Sequence, residues 1–375
     1  MADFDLVFEG GGAKGIAFVG ALDVLKEKGH KAARYIGTSA GAITATLCAA
    51  GYSPQEMLAA ILEKQDGKPR FTSFMDIPAA ADFTPELRQK SLTMEALQDI
   101  NLPLIPGRAE DRIDEFLINN LVANRTYSRL FSFIECGGFY SGRTFLDWIR
   151  EKLAVKGIAP DETLGSFEQK THADLSLCVT DTSDVELLVL NHRTAPDVPI
   201  ANAVRMSMSI PFVWQEVIWQ ADWGTYMGRE KTGNIIVDGG VLSNFPIRLI
   251  ATMDDEIRVI MGDADPLAAL NLGMLIDEEL AVPGEPNTSQ TPVPVTHVRT
   301  IRRVSRLIDT MMGASDNAMM RRFSKEICRL PAKGYGTLEF DMTGDRLERF
   351  LQGGRDAMTA HLQSRNLDVI TVATP

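Results

Sequence analysis

The chain has 375 residues, of which 45% are hydrophobic, and a formal charge of −12, which is enough apolar material for one large domain or two ordinary ones. So acidic a surface argues against a nucleic acid polymer as a bulk partner and against whole-surface attraction to anionic lipid, leaving any membrane contact local. The opening MADFDLVFEG has neither a basic start nor an apolar signal core, and no apolar run reaches the ~18 residues of a membrane span. Cys48, Cys136, Cys178 and Cys328 are scattered without CxxC spacing, so neither a disulfide framework nor a zinc site is expected. The expectation is a globular cytoplasmic protein that needs no cofactor and no metal.

In chain order, Leu6 to Phe8 reads as a strand buried in a parallel sheet, and Gly10, Gly11 and Gly12 follow it directly. Three glycines let the backbone turn N–H groups towards a ligand. Ile16, Val19, Leu22 and Leu25 recur every three residues between Lys14 and Lys28, the spacing of an amphipathic helix, which Gly29 ends. Tyr35 and Ile36 lead into GTSAG at 37–41, a GxSxG turn whose small neighbours allow a serine to stand on a tight strand-to-helix corner. Ser39 is therefore the candidate nucleophile. The helix from Ala40 to Ala50, closed by Gly51, points its partial positive N-terminus back at that serine.

Gly10, Gly12 and Gly15 also spell GxGxxG after a strand and before a helix, the pattern of a dinucleotide loop. That reading requires an acid roughly 20 residues further on, to hold a ribose hydroxyl. No Asp or Glu occurs between Glu27 and Glu56, and the second strand ends in the serine turn instead. A GxxxxGK[ST] phosphate loop is excluded because Lys14 follows Ala13.

Ser53 to Glu56 is a capping box with proline at the first helical position, so a helix runs to about Lys64. Pro69, Pro78, Pro85, Pro103 and Pro106 then break the chain into loops and short helices. Helical spacing resumes at Ile113, Phe116, Leu117 and Leu121, and an aromatic stretch precedes a helix capped by Ser141 and running through Phe145, Trp148 and Ile149. This helical insertion, at about 66–150, reads either as a subdomain on the core or as a lid or acyl-chain pocket.

Strands return at Leu175–Thr180 and Glu186–Leu190, and a small-residue helix from Asn202 to Met208 leads into Ser209-Ile210-Pro211-Phe212. The apolar run Ile235–Val237 ends in Asp238-Gly239-Gly240. An aspartate at the C-terminal end of a strand lies where open parallel sheets gather reactive groups, although DG is also a frequent turn pair. Ile257–Met261 is expected to be the last strand, Leu270–Leu280 a helix, and the proline-rich Val282–Val295 a surface loop. Arg299 to Arg329 carries eight basic residues against three acids, either a solvated helix pair or a docking site for a phosphate-bearing lipid or phosphorylated regulator.

EGGGAKG at 9–15, GTSAG at 37–41, RMSMSIPF at 205–212 and DGG at 238–240 stand in the order and relative placement of the patatin-like phospholipases. The chain resembles that family over about Leu6 to Pro246. The resemblance implies a three-layer α/β/α fold with a mainly parallel central sheet, an inserted helical region and a helical C-terminal part. It implies a catalytic domain at 1–250 and a C-terminal part at 251–375 packed on it. It further implies Ser39 as nucleophile, Asp238 as the other half of a Ser-Asp dyad and the Gly10, Gly11 and Gly12 loop as oxyanion hole, with Lys14, Gly15, Gly37, Gly41, Gly239 and Gly240 supporting the motifs. Glu9 stands where many relatives have aspartate. Lys14 stands where many have arginine, and offers a point charge in place of a planar fork.

The chemistry can be argued apart from the resemblance. Ester hydrolysis by acyl transfer needs a nucleophile, a base and donors for the developing oxyanion, and Ser39, Asp238 and the N–H groups near Gly11, Gly12 and Ala40 can supply them. A triad would need a histidine, yet His30, His172, His192, His297 and His361 lie in no recognisable motif. An exposed aspartate with a pKa of ~3.9 is a feeble base, so the carboxylate has to act at close range. The expected activity is acyl-ester hydrolysis of membrane phospholipids with transient peripheral membrane contact. Two alternatives stay open: an effector silent until a small-molecule or protein activator binds, as the resemblance implies for some bacterial relatives, and a nucleotide-binding module.

Overall fold

Strand β1 (Asp3–Phe8) ends in the apolar run Leu6–Phe8 because both its faces are covered: Phe4, Leu6 and Phe8 enter one core cluster and Val7 the other. The computed structural model describes residues 2–79, 82–84, 87–88, 91–93, 124–252, 254–263, 268–285, 317–337, 339 and 342–368. A 3₁₀ turn over Gly12–Gly15 leads from β1 into α1 (Ile16–Glu27), followed by β2 (Lys31–Thr38), α2 (Ala40–Ala49) and α3 (Pro54–Ile61). The capping box forms as expected, with Ser53 Oγ accepting from Glu56 N and Glu56 returning to Ser53 N at 2.8 Å. A small hairpin of β3 (Lys64–Gln65) and β4 (Lys68–Pro69) opens the insertion, which continues with α4 (Arg125–Cys136), β5 (Gly138–Tyr140) and α5 (Arg143–Val155). Then come α6 (Leu164–Thr171), β6 (Asp174–Asp181), β7 (Glu186–Leu190), α7 (Ile200–Ser207), β8 (Phe212–Trp214), β9 (Val217–Ile218) and β10 (Ile235–Asp238). The last described elements are α8 (Arg248–Ala251), α9 (Asp255–Met261), β11 (Leu270–Ala281), α10 (Asn317–Arg322), β12 (Ile327–Lys333) and α11 (Gly344–Ser364).

Eight of these strands form one mixed, mostly parallel sheet in the order β12-β11-β1-β2-β6-β10-β9, with β7 also paired to β6. Helices cover both faces, giving the expected three layers. One core cluster holds α1, α2, α7 and α11, and the other holds α8 and α9. The crossing of α1 and α11 is close because glycine lies on both sides of it. A Cβ on Gly20 would stand 2.1 Å from Leu351 O, and one on Gly354 would stand 2.4 Å from Ala17 O.

The end of the chain differs from the sequence expectation. Ile257–Met261 is not the last strand but part of α9, capped by the Asp254 carboxylate, which accepts from Ile257 N at 3.1 Å. Leu270–Leu280 is not a helix but β11, parallel to β1 on one side and β12 on the other. Its exposed tail from Glu278 to Leu280 has helical propensity, but the buried stretch from Leu272 to Ile276, with β1 and β12 alongside, sets the strand. Ser141 takes part in capping the helix through Phe145, its Oγ accepting from Arg143 N at 3.2 Å, but it does not occupy the N-cap position. The N-cap is Gly142, and the Thr144 N–H is met at 3.0 Å by Asp76 from a distant loop. The helical spacing at Ile113 to Leu121, the proline-rich loop beyond Glu285 and the basic stretch from Arg299 to Asp316 lie outside the described residues.

Candidate active site

Strand β6 has two edges, and their use decides the site. Along one edge runs β7, from Leu190 opposite Leu177 to Glu186 opposite Asp181. The other edge is shared. The parallel β2 occupies it up to Thr38 opposite Cys178, and the antiparallel β10 occupies it from Ile236 opposite Asp181 to Asp238 opposite Val179. β2 and β10 therefore meet tip to tip. The sequence expectation put Asp238 at the C-terminal end of a strand running with its neighbours; the strand in fact runs against β6, and its end reaches the serine corner because β2 stops there.

Ser39 is the first residue past β2 and the N-cap of α2, with φ 54° and ψ −121°. A side chain rarely holds such a backbone, which costs about 1–3 kcal/mol and persists only where the surroundings impose it. Here they do. A Cβ on Gly37 would lie 2.2 Å from Gly41 O, and one on Gly41 would lie 2.2 Å from Phe8 O, so the corner closes only around glycine. The Ser39 N–H donates to Ser207 Oγ at 3.0 Å, and Ser207 Oγ donates to Cys178 O at 2.7 Å.

Asp238 is 1% exposed. Its N–H donates to Ser209 O at 2.9 Å, and its Oδ1 accepts from Gly240 N at 2.8 Å. Gly239 packs against Cys178 O, where a Cβ would approach to 2.3 Å. Burial pushes the Asp238 carboxyl up to about 7, against the lowering effects of the Gly240 N–H and the Ser39 side chain. Oδ2 is buried without a hydrogen bond of full geometry. The serine hydroxyl is still near enough to favour the carboxylate form, and catalytic hydrogen bonds are often incomplete in unliganded sites.

The glycine loop lies against this corner. A Cβ on Gly10 would stand 3.1 Å from Ser39 Cβ. The Gly10 N–H donates to Asn244 O at 3.0 Å, so it is not available as an anion donor, contrary to the expectation for that glycine. The N–H groups of Gly11, Gly12 and Ala40 donate to no backbone carbonyl among the described residues, as befits the ends of helical segments, where first-turn N–H groups lack internal partners. Glu9 braces the loop. Its Oε2 accepts from Ile276 N at 2.6 Å and its Oε1 from Asn244 Nδ2 at 3.2 Å. Lys14 is buried and ion-paired with Glu278, and Gly15 lies beside Ala40.

No histidine joins Ser39 and Asp238 among the described residues. His30 bonds Ala2 N and Leu367 O. His172 caps α6, and burial lowers His192 and brings His361 down to about 4. Asp181, Asp184 and Glu186 stand close enough together to hold a cation, but the buried Lys231 ammonium already occupies their centre, 2.8 Å from Asp181 and 2.6 Å from Asp184. Sequence reasoning did not single out Ser207, Asn244 or Arg205. The first and last lie inside the RMSMSIPF segment, whereas Asn244 carries no local signal.

No helix among the described residues is long and apolar enough to cross a membrane. The chain is 34% identical over 253 residues to YqhO of Bacillus subtilis, an uncharacterized protein, covering 66% of each chain. It is 23% identical over 242 residues to the probable lipid hydrolase 463L of Invertebrate iridescent virus 6, covering 64% of this chain and 61% of that one. The chain thus spans less than two thirds of the length of these relatives. Among solved structures, VipD from Legionella pneumophila aligns with a TM-score of 0.45 at 18% identity, over 97% of this chain and 67% of that one. The family described as Patatin-like phospholipase matches residues 6–251, a span that holds the serine corner, the glycine loop and Asp238 together, and the chain belongs to that family.

Proposed function

We propose that the chain is a serine-dependent lipid acyl hydrolase that cleaves carboxylic esters of phospholipids at a membrane surface. In this reading Ser39 attacks the ester carbonyl carbon while Asp238 takes its hydroxyl proton. The tetrahedral oxyanion is held by the N–H groups of Gly11, Gly12 and Ala40, the last at the positive end of α2. The Asp238 carboxyl then returns the proton to the leaving alcohol, and water, deprotonated by the same carboxylate, hydrolyses the acyl-enzyme. The observation that carries the reading is the shared edge of β6, along which a strained serine and a buried carboxylate raised to about 7 converge. A base poised near neutral pH suits proton transfer from a hydroxyl. Family membership and the likeness to a probable lipid hydrolase support the same chemistry.

The test is fatty-acid release from phospholipid vesicles and from a soluble short-chain ester. Wild type is expected to turn over both, Ser39→Ala neither. Equal turnover by wild type and a folded Ser39→Ala variant would overturn the assignment.

A further inference from the structure

We propose that Arg205 is a positioning residue for Asp238, fixing the aspartate according to where the helical insertion sits; the proposal rests on the dyad reading above. Arg205 lies in the last turn of α7, is 5% exposed, and has no carboxylate within ion-pairing distance among the described residues. Such a group is expensive to bury, and burial brings its pKa down to about 10 even though the Asp76 charge opposes the shift. Well-packed apolar residues serve a core at least as well as a buried charge. The guanidinium is therefore best explained by what its fork joins.

It joins three segments. The guanidinium donates to Ser209 Oγ, to Ser141 O at 2.9 Å and to Gln215 O at 2.9 Å. The Ser209 hydroxyl donates in turn to Arg205 O at 2.6 Å, closing a small ring at the end of α7. The Ser209 carbonyl is the acceptor of the Asp238 N–H. On the far side, the Ser141–Thr144 turn is held by Asp76, which accepts from Ser141 Oγ at 2.6 Å, Gly142 N at 2.8 Å, and Thr144 N at 3.0 Å and Oγ1 at 3.2 Å. The turn is shaped for this contact: a Cβ on Gly142 would stand 2.4 Å from Arg205 Nε. An unbroken path thus runs from Asp76 in the insertion through Ser141, Arg205 and Ser209 to the backbone of Asp238. Two residues before Ser209, Ser207 holds the Ser39 N–H, so one short segment grips both halves of the dyad. A lysine cannot reproduce a planar fork that serves three acceptors.

The experiment compares Ser209→Ala, Arg205→Lys and Asp76→Asn with wild type, Ser39→Ala and Asp238→Asn. Hydrolysis of a soluble short-chain ester is measured per folded molecule, with its pH dependence and thermal unfolding. Ser209→Ala and Arg205→Lys are expected to lose at least tenfold in kcat with KM within twofold of wild type, and to shift the acid limb of the pH profile, because a displaced carboxylate no longer meets Ser39 and Gly240 in the same way. Asp76→Asn is expected to lose a smaller factor in the same direction. Should Arg205→Lys fail to fold, Ser209→Ala, which removes one hydroxyl, decides alone. A lowered Tm with wild-type kcat and an unmoved acid limb would overturn the positioning role while an inactive Asp238→Asn leaves the dyad intact. Wild-type turnover by Asp238→Asn would overturn the dyad and this proposal with it.

Discussion

Ser39 and Asp238 approach each other along a single edge of β6 from opposite directions, one leaving the parallel β2 at the level of Cys178 and the other ending the antiparallel β10 at Val179. Successive residues of a strand rise only about 3.3 Å, so the two tips are neighbours without any long side chain having to bridge them. Neither strand could extend by a residue without displacing the other. The contact is thus fixed by strand lengths as much as by side chains.

The first prediction stems from that contact. Asp238→Asn keeps the shape of the side chain and its acceptor for the Gly240 N–H, but cannot take a proton. Turnover is expected to fall on the order of 100- to 10,000-fold, the range of general-base contributions, with KM little changed. Steady-state kinetics on a soluble ester check this, and a change confined to KM would contradict a role in the transition state.

The second concerns pH. If Asp238 acts as the base, kcat/KM should rise as pH passes through about 7. Stability moves the other way. The folded-state pKa lies above the unfolded one, so this group's contribution to folding is fully present below the ordinary carboxylate range and is lost as pH rises through about 7. Asn carries no such burden. The Tm of Asp238→Asn minus that of wild type should therefore increase between pH 5 and pH 8.5, and a difference that stays flat would show that the carboxyl is not raised in the folded protein.

A third separates two adjacent glycines. At Gly11 φ is −177°, outside the left-handed region, and an added methyl would stand 2.4 Å from Ile276 Cδ1, the tip of a side chain that can turn aside. Gly11→Ala should fold. If its N–H is an oxyanion donor, displacement should cost roughly 100- to 1,000-fold in turnover. Gly10→Ala would instead push on Asn244 Oδ1 and Ser39 Cβ, and should lower Tm as well as activity. Melting curves beside turnover per folded molecule distinguish the two; normal turnover in Gly11→Ala would remove that N–H from the oxyanion assignment.

The fourth lies away from the chemistry. Lys231 neutralises Asp181, Asp184 and Glu186, and Asn234 Nδ2 adds bonds to the first two at 2.8 and 3.0 Å. Lys231→Met leaves the carboxylates facing one another and should cost about 3 kcal/mol or more, the scale of a buried pair that loses a partner. Asp181 and Glu186 are held below the ordinary carboxylate range in the native cluster despite their burial, by hydrogen bonds to Lys231 and Asn234 and to Arg229 and Lys231 respectively. Without the lysine they should bind protons more readily, so the deficit against wild type should shrink as pH falls. Denaturant titrations at two pH values test this.

Much of the fold was legible because local signals agreed with tertiary ones. The capping box at Ser53, the glycine stop at Gly29 and the serine corner are each written within a few adjacent residues. The features that could not be read are supplied from elsewhere in the chain. β11 looks helical because its burial depends on β1 and β12, which a local window does not contain. Asp76 caps a helix more than sixty residues away, and nothing around it announces the fact. Motif alone singles out Ser39 and Asp238 as candidates, but the parallel-sheet argument for Asp238 does not hold: its strand runs against β6, and only the ladder register shows how it arrives beside Ser39.

The family match ends at residue 251, yet the glycine loop hangs from strands and turns beyond that point. Glu9 is held by Met274 O and Ile276 N of β11, and the Ala13 N–H is taken by Thr337 O at 2.8 Å. In a chain made from its N-terminus, the loop and the serine corner emerge first and their supports last. With β11 inserted between β1 and β12, the loop takes its final shape only after the ribosome has covered the 267 positions that separate Glu9 from Ile276. A nascent chain therefore carries the glycine loop and Ser39 long before it carries the frame that aligns them, and it should show no ester turnover until that frame has been made.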